Sequence, residues 1–272
     1  MFVLFDVGGT STRVAVSKNG KKIDRIRSQA TPQKFAEGVS LIARLAAELS
    51  QGQRIGAVVG GVPGPLDARK SKIIKASNLP DWTNKPFRQK LEQILKAPVT
   101  LENDADLAGL GEAVLGAGRG KRIVAYITIS TGIGGTRLVD GKLDVYSVGF
   151  EPGHQLITFK GQPTDFESCA SGTAMAKRYG RPAHTITSAK AWTEEARLVA
   201  QGLANTIVHW SPDIMVLGGG VGRRDLPIEQ VNAQLKKMVT IFPKVPKAVR
   251  TKLGDQAGLL GALVISQGLK RG

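Results

Sequence analysis

The chain opens with the stretch that decides its fold, "FVLFDVGGTSTRVAVSKNGKKIDRIRS", residues 2–28. An apolar run is followed by a Gly-rich turn and then by a second apolar run. This pattern predicts strands over Phe2–Asp6 and Arg13–Ser17, and Asn19-Gly20 predicts a two-residue hairpin into a third strand. The turn lacks the GxxxxGK[ST] pattern of a Walker A loop, and it leads into a strand rather than into a helix.

The same order of elements begins again in the second half of the chain. "RIVAYITIS", residues 122–130, predicts a strand that runs into the Gly-rich turn "STGIGG", and "TRLVDGKL" predicts a second strand. Helical patterns alternate with further strands, and the first helix is expected to have Thr31 as its N-cap and Pro32 at its first helical position. The two halves together predict an α/β fold with two related domains and a ligand cleft between them.

Composition and charge narrow the classes of function. The 272 residues are 42% hydrophobic and 22% charged, as in a folded globular protein. A net charge of +16 suits polyanionic partners, but the basic residues are scattered and only 5% of residues are aromatic, so nucleic-acid binding is not favoured. Cys169 is the only cysteine, which excludes an intrachain disulfide. Because no signal-peptide pattern or membrane-spanning apolar run occurs, we expect a cytoplasmic protein without a membrane partner.

Gly-rich turns follow three of the predicted apolar strands, at residues 6–10, 130–135 and 217–222. Glycines leave backbone N–H groups accessible to a phosphate, and Asp6 at the end of its strand can reach a bound Mg²⁺. Each turn alone could be an ordinary hairpin. Taken together, the three turns predict one nucleotide or polyphosphate bound between the two domains.

Acidic residues are concentrated in "LENDADLAGLGE", residues 101–112. The pattern predicts a strand that ends near Asn103 and a helix that follows, a position at which side chains of an α/β sheet face a ligand. Asp104 is therefore the candidate for chemistry, and a plain helix N-cap is the alternative. Asp106 and Glu112 lie off the apolar stripe of the helix, so we expect both to be solvated.

Five short motifs follow one another along the chain. They are DVGGT (residues 6–10), ENDA (102–105), STGIGG (130–135), EPGH (151–154) and LGGGV (217–221). In this order and spacing they resemble the ROK family of bacterial sugar kinases and repressors, within the superfamily of actin and hexokinase. The resemblance implies two actin/RNase H-like domains, with residues 1–104 plus 255–272 as a small domain and 105–254 as a large one. It also implies ATP and Mg²⁺ as cofactors and a homodimer.

The resemblance assigns a role to each matching position. Asp104 would be the catalytic base that takes the proton from the sugar hydroxyl, and Asn103 would bind neighbouring hydroxyls. Asp6 would contact Mg²⁺ through the bound ATP. Further sugar contacts would be Gly64, Asn78, Glu151, His154 and Glu167. The phosphates would be surrounded by Asp6, Gly8, Gly9, Thr10, Thr12, Thr131, Gly132, Ile133 and Gly134, and the adenosine by Gly219, Gly220 and Val221.

The chain departs from the family at the zinc site. Many ROK kinases carry a CxCGxxGC stretch that binds zinc together with a histidine, whereas "HQLITFKGQPTDFE", residues 154–167, contains no cysteine. His154 and Cys169 cannot build a closed tetrahedral site, so no structural zinc is expected. His154 is interpreted as a sugar contact, with a structural histidine as the alternative. Ser130 and Thr136 replace glycines common in the second phosphate turn, which leaves the donor geometry open.

These observations predict an ATP- and Mg²⁺-dependent hexose kinase that phosphorylates the 6-OH of glucose or a related aldohexose. Backbone N–H groups and Mg²⁺ stabilise a transferring phosphoryl group, and carboxylate and amide side chains bind sugar hydroxyls. The alternatives are an N-acetylhexosamine kinase, a polyphosphate-dependent sugar kinase and a non-catalytic sugar-sensing regulator. The regulator is not expected, because Asp6 already lies in the first phosphate loop and a DNA-binding domain would precede it.

Overall fold

The computed structural model describes residues 1–76 and 78–269, which form two compact units. Unit 1 comprises Met1–Gly111, Tyr146–Gly149 and the described residues from Asp255 onward, and unit 2 comprises Glu112–Val145 and Phe150–Gly254. The small domain expected from the sequence, residues 1–104 plus 255–272, stays a prediction. Its last three residues, 270–272, lie outside the described part of the chain.

Unit 1 contains a five-stranded sheet in the order β3-β2-β1-β4-β5. Strands β2 and β3 run antiparallel to their neighbours, and β4 and β5 continue the sheet in parallel. The strands are β1 (Phe2–Val7), β2 (Ser11–Ser17), β3 (Arg25–Ala30), β4 (Ala57–Val62) and β5 (Val99–Asn103).

Unit 2 contains a second five-stranded sheet and a separate hairpin. The strands are β6 (Ile123–Ile129), β7 (Ile133–Val139), β8 (Lys142–Leu143), β9 (Leu156–Phe159), β10 (Gln162–Asp165), β11 (Ile214–Gly218) and β12 (Lys247–Arg250). The sheet has the order β12-β11-β6-β7-β8, with β6 to β8 antiparallel and β11 and β12 parallel to β6. Its topology repeats that of unit 1, which confirms the prediction of two related α/β halves.

The helices of the described residues alternate with the strands. They are α1 (Phe35–Ser50), α2 (Phe87–Leu95), α3 (Asp104–Leu115), α4 (Phe166–Ala170), α5 (Gly172–Tyr179), α6 (Ala189–Trp210), α7 (Gly219–Arg223), α8 (Ile228–Met238) and α9 (Ala257–Gly268). Within residues 1–76 and 78–269, none of these helices combines the length and apolar character that a bilayer crossing requires.

Strand β1 is buried on both faces, so its side chains enter two different cores. Phe5 belongs to a cluster with Trp82 and Phe87, whose rings lie 5.4 Å apart. Leu4 packs on the opposite face with Leu259 of α9. Alternation along the strand therefore explains why a continuous apolar run, rather than an alternating one, precedes the first Gly-rich turn.

The start of α1 differs from the sequence prediction. The helix begins at Phe35, and Lys34 at its cap position makes no side-chain capping hydrogen bond. The Thr31 hydroxyl instead donates to the Gly8 carbonyl at 2.7 Å and lies 3.0 Å from Thr12 Oγ1. The predictions of a Thr31 N-cap and of Pro32 at the first helical position are wrong, because the Thr31 hydroxyl closes the first Gly-rich turn and the helix starts only at Phe35.

The connection from β2 to β3 is also longer than predicted. Residues 18–24 form it, rather than a two-residue turn at Asn19-Gly20. Side chains hold this loop: the Ser17 hydroxyl oxygen accepts the Gly20 N–H at 2.9 Å, and Asp24 accepts the Lys18 N–H at 2.7 Å. These polar contacts replace the tight turn that the Asn-Gly pair favours by itself.

Candidate active site

The β5–α3 corner of unit 1 carries the two residues expected to act on the sugar. Asn103 Oδ1 accepts the N–H groups of Ala105 at 2.8 Å and Asp106 at 3.2 Å, so Asn103 caps helix α3. Its amide nitrogen donates to the Gly64 carbonyl at 3.0 Å. The capping role that the sequence left open for Asp104 therefore belongs to Asn103, although Asp104 also accepts the Ala105 N–H at 2.8 Å.

Asp104 and Asp6 approach each other beside Gly61. A Cβ built on Gly61 would lie 3.3 Å from Asp104 Cα and 3.5 Å from Asp6 Oδ1. Burial, helped by the charges of Asp6 and Asp106, raises the pKa of Asp104 to about 7. Burial also raises the pKa of Asp6 to about 6, against the effect of the Arg13 guanidinium 3.7 Å away. Both carboxyl groups can therefore exchange a proton near neutral pH, as groups in active sites often do.

The first Gly-rich turn lies next to this pair. The Gly8 N–H donates to the Ser11 carbonyl at 2.9 Å, and a Cβ on Gly9 would lie 3.0 Å from Asn78 Cβ. Thr10 is exposed, whereas Thr12 is buried and bonded to Thr31. The structure thus brings Asn78 to the turn but gives the Thr12 hydroxyl a supporting position inside it.

Asp6 fits the requirements of a Mg²⁺ ion that is bound together with nucleotide phosphates. Among the described residues, no group of three or more His, Cys, Asp or Glu side chains could hold a metal by itself. Mg²⁺ commonly takes one or two carboxylates and obtains its other ligands from phosphates and water. Asp6 offers such a carboxylate, and Gly258 allows helix α9 to approach it closely, since a Cβ there would lie 2.8 Å from Asp6 Oδ2.

Two carboxylates of helix α3 are buried, contrary to the sequence prediction of solvated side chains. Asp106 is 4% exposed and Glu112 is fully buried. Tyr146 donates its hydroxyl hydrogen to Asp106 Oδ2 at 2.5 Å. Glu102, also buried, pairs with the Lys70 ammonium at 2.5 Å. The prediction was wrong because the residues that enclose these carboxylates come from distant parts of the chain. Local sequence patterns do not reveal such contacts.

In unit 2, the second and third Gly-rich turns lie side by side. A Cβ on Gly219, which has φ +77°, would lie 2.2 Å from the Ile129 carbonyl oxygen. Only glycine allows this approach, because other residues disfavour that φ and would collide. Thr131 is exposed, and a Cβ on Gly220 would meet no atom within 4 Å. The side chain of Val221 is buried.

Glu167 joins the second turn to the segment expected to bind sugar. Its Oε2 accepts the Ile133 N–H at 2.6 Å, and a Cβ on Gly132 would lie 2.5 Å from the same oxygen. A Cβ on Gly153 would lie 2.2 Å from the Ile133 carbonyl oxygen. Unit 2 therefore brings Glu167, the turn at residues 130–134 and the segment from Glu151 to His154 together.

His154 is largely exposed and has an acidic partner. Its Nδ1 lies 2.8 Å from Asp165 Oδ2, and this hydrogen bond raises the pKa of the imidazole. Cys169 is buried, its thiol donates to the Phe166 carbonyl at 3.5 Å, and burial raises its pKa to about 11.

The family follows from a comparison with known proteins. A family model described as "ROK family" matches residues 3–268. The chain belongs to the ROK family. The match spans nearly the whole chain and includes all three Gly-rich turns.

Three solved structures, two of ROK proteins and one of a polyphosphate/ATP-glucomannokinase, are similar to the chain. A ROK hexokinase from Thermus thermophilus is 31% identical, has a TM-score of 0.84 and covers 100% of this chain and 99% of its own. A ROK family glucokinase from Streptomyces griseus, solved with glucose and AMPPNP, is 26% identical (TM-score 0.80; 98% and 99% covered). The inorganic polyphosphate/ATP-glucomannokinase from Arthrobacter sp. strain KM is 28% identical (TM-score 0.71; 99% and 98% covered).

The comparisons confirm three predictions made from the sequence. The chain is a ROK family member, its fold is the actin/RNase H-like α/β type, and its enzyme class is ATP-dependent sugar kinase. A non-catalytic regulator is not favoured, since the similar proteins named above are kinases.

Proposed function

We propose that this kinase transfers the terminal phosphoryl group of ATP to the 6-OH of glucose or a related aldohexose. The observation that carries the proposal is the carboxyl group of Asp104, placed at a strand–helix corner beside Asp6 with its pKa raised to about 7. The similarity to a ROK glucokinase solved with glucose and AMPPNP supports this acceptor and this donor.

Asp104 is proposed as the general base. Phosphoryl transfer passes through a loose transition state, in which the attacking hydroxyl loses its proton late. A carboxylate with a pKa near neutrality can hold that proton and then release it to solvent. The Asn103 cap fixes the first turn of α3, so the carboxyl group of Asp104 cannot swing away with a fraying helix end.

Residues of each unit are proposed as sugar ligands. Asn103, Glu151, His154, Glu167 and Asn78, with the backbone at Gly64, are proposed to bind sugar hydroxyls. His154 would use Nε2, because its Nδ1 faces Asp165. Glu167 would use the carboxylate oxygen that does not accept the Ile133 N–H. Charge-assisted hydrogen bonds of this kind are strong and directional.

For the donor, we propose that the phosphates bind at Gly8, Gly9, Thr10 and the turn at residues 131–134. The adenosine would bind near Gly219, Gly220 and Val221. Asp6 would hold Mg²⁺. When bound with ATP, Mg²⁺ neutralises charge that develops on the transferring phosphoryl group. Thr12 would support the first turn from inside, since its hydroxyl is buried.

An ADP-release assay over several sugars tests the proposal. With ATP and Mg²⁺, we expect the highest kcat/KM for glucose among glucose, mannose, fructose, N-acetylglucosamine and N-acetylmannosamine. A preference for either N-acetylated sugar would replace the aldohexose assignment with the alternative of an N-acetylhexosamine kinase. No turnover with any of these sugars, with ATP or with polyphosphate, would contradict the proposal as a whole.

Inorganic polyphosphate is a second candidate donor. The chain carries a net charge of +16 and is similar to a glucomannokinase named for both polyphosphate and ATP. A basic surface attracts a long polyanion. If polyphosphate serves as donor, kcat/KM with it should fall steeply as salt is raised, whereas the value with ATP should change less.

We further propose a homodimer in the cytoplasm as the working form. The family resemblance supports the dimer, and cytoplasmic ATP suits the proposed donor. Light scattering on the purified protein tests the assembly: a mass near twice the 28.9 kDa of the chain is expected, and a mass near 28.9 kDa would contradict it.

A further inference from the structure

Two side chains remote in sequence hold the carboxylates on either side of the Asn103–Asp104 corner. Lys70 pairs with Glu102 at 2.5 Å, and Tyr146 donates to Asp106 at 2.5 Å. The Lys70 ammonium also lies 5.7 Å from the centroid of the Tyr146 ring, within reach of a cation–π contact. All of these residues belong to unit 1.

Lys70 stands at the tip of a tightly built hairpin. Leu66 and Ile73 form a β-bridge, and Asp67 Oδ1 accepts the N–H groups of Ser71 at 2.6 Å and Lys72 at 3.0 Å. Lys70 itself has φ +49°, a conformation that non-glycine residues seldom adopt. The hairpin thus presents the Lys70 side chain from a well-defined position.

The segment that carries Lys70 also contacts the Asn103–Asp104 corner at a second point, through Gly64. Its carbonyl accepts the Asn103 amide at 3.0 Å, and a Cβ on Gly64 would lie 2.2 Å from the Lys75 carbonyl oxygen. Residues 64–70 therefore contact both Asn103 and Glu102. Movement of residues 64–70 would change both contacts and therefore the orientation of Asn103.

Stability alone gives little reason for this arrangement. Burying Glu102 and Asp106 costs desolvation energy, and a buried ion pair usually returns little net stability. Burial indeed raises the pKa of Glu102, against the effect of Lys70. The N–H groups at the start of α3 already have Asn103 as their cap, so the helix does not need these two carboxylates for capping.

We propose that Lys70 and Tyr146 are positioning residues for phosphoryl transfer: by holding Glu102 and Asp106 they fix the Asn103–Asp104 corner in its productive orientation. The inference rests on the proposed role of Asp104 as the base. Lys70 and Tyr146 contact Glu102 and Asp106 rather than Asp104, so both would act through the backbone of residues 102–106. A small displacement of a base or a substrate ligand lowers turnover markedly.

Kinetics of paired variants test the inference. Tyr146→Phe and Lys70→Met should each lower kcat/KM for the sugar about three- to tenfold, the effect of one lost hydrogen bond, with the KM for ATP unchanged. Lys70→Arg keeps the charge and should recover most of the activity. The matched controls are Tyr179→Phe, which loses a tyrosine–glutamate hydrogen bond to Glu194 in unit 2, and Lys90→Met on α2; both should behave as the parent protein.

Hydrogen exchange in the protein without substrate separates this inference from the proposed function. Faster exchange at the Ala105 and Asp106 amides in Tyr146→Phe and Lys70→Met, but not in the two controls, would support it even if the sugar assay failed. Unchanged exchange at these amides would overturn it. Equal losses of activity in Tyr146→Phe and Tyr179→Phe, or a raised KM for ATP, would also overturn it, because they would indicate a general effect on the fold.

Discussion

Helix α3 begins and ends with carboxylates whose surroundings are opposite. At its first residue, Asp104 accepts one N–H from Ala105 and has the acidic Asp6 and Asp106 as its charged neighbours. Near its last residue, Glu112 is fully buried. Its oxygens accept the N–H groups of Leu253 at 2.7 Å and Lys252 at 3.1 Å. They also accept the Ala117 N–H at 2.8 Å and the Thr251 hydroxyl hydrogen.

The difference shows how to separate a catalytic carboxylate from a structural one. Donors surround Glu112, so its carboxylate oxygens are occupied in holding residues 251–253 and Ala117. Asp104 has few donors and like-charged neighbours, so its pKa is raised to about 7 and it can act as a base. Low exposure alone does not single out the catalytic group, since Glu112 is fully buried and Asp104 is only partly buried. The neighbouring charges and donors do.

The largest effect is expected at the start of the helix. Asp104→Asn keeps the size of the side chain but removes the proton acceptor, so kcat should fall by about 10²- to 10⁴-fold. Sugar affinity, measured by calorimetry, should stay close to that of the parent protein. Near-normal turnover in this variant would show that Asp104 is not the base and that it does not differ from Glu112 in this respect.

At the other end of the helix, the expected effect is on stability. Glu112→Gln replaces an acceptor of several N–H groups by an amide that presents its own donors, and should lower the free energy of unfolding by about 2–5 kcal/mol. Folded Glu112→Gln should retain a sugar kcat/KM near that of the parent protein. Denaturant unfolding and the ADP-release assay on the same samples measure both quantities.

Thr251→Val provides a graded control, since it removes one of the donors to Glu112 and leaves the backbone N–H groups in place. We expect a loss of about 1 kcal/mol. A loss as large as that of Glu112→Gln would mean that the hydroxyl, rather than the ring of backbone donors, accounts for the stability at this end.

The smallest effect concerns the pH dependence of stability. In the folded protein the pKa of Asp104 is about 7, well above its ordinary value of 3.8. Between about pH 4 and pH 7 the folded state therefore binds more protons than the unfolded state, and its free energy of unfolding falls as pH rises. Asp104→Asn lacks this contribution, so its Tm relative to the parent protein should rise from pH 5 to pH 8.

Other groups that titrate in the same range either contribute equally to both proteins or add to the same trend. Burial raises the pKa of Glu195 to about 8, and it is present in both proteins. Asp6, with a pKa of about 6, faces Asp104 and should titrate lower once that charge is removed. A difference in Tm that stays constant with pH would contradict the raised pKa of Asp104.

Much of the fold was predictable because it depends on local patterns. Apolar residues recur at helical spacing along residues 189–210, which form the long helix α6. The strand-to-helix change after Asn103 was also predictable, because its signals lie within a few residues. The Thr31 cap failed because the hydroxyl bonds to Gly8 and Thr12, which are distant in sequence but adjacent in the sheet.

The sequence by itself determined which residues lie on which element: the Gly-rich turns after apolar strands, the corner at Asn103 and Asp104, and the repeated order of strands. Hydrophobic periodicity and turn chemistry depend on neighbouring residues, so a single sequence is enough to detect them. Only the tertiary structure decided which carboxylates are buried and with what partners. Tyr146 reaches Asp106, and residues 251–253 reach Glu112, across long intervals of sequence. The pKa of a carboxyl group depends on the distances to such partners, and folding sets these distances.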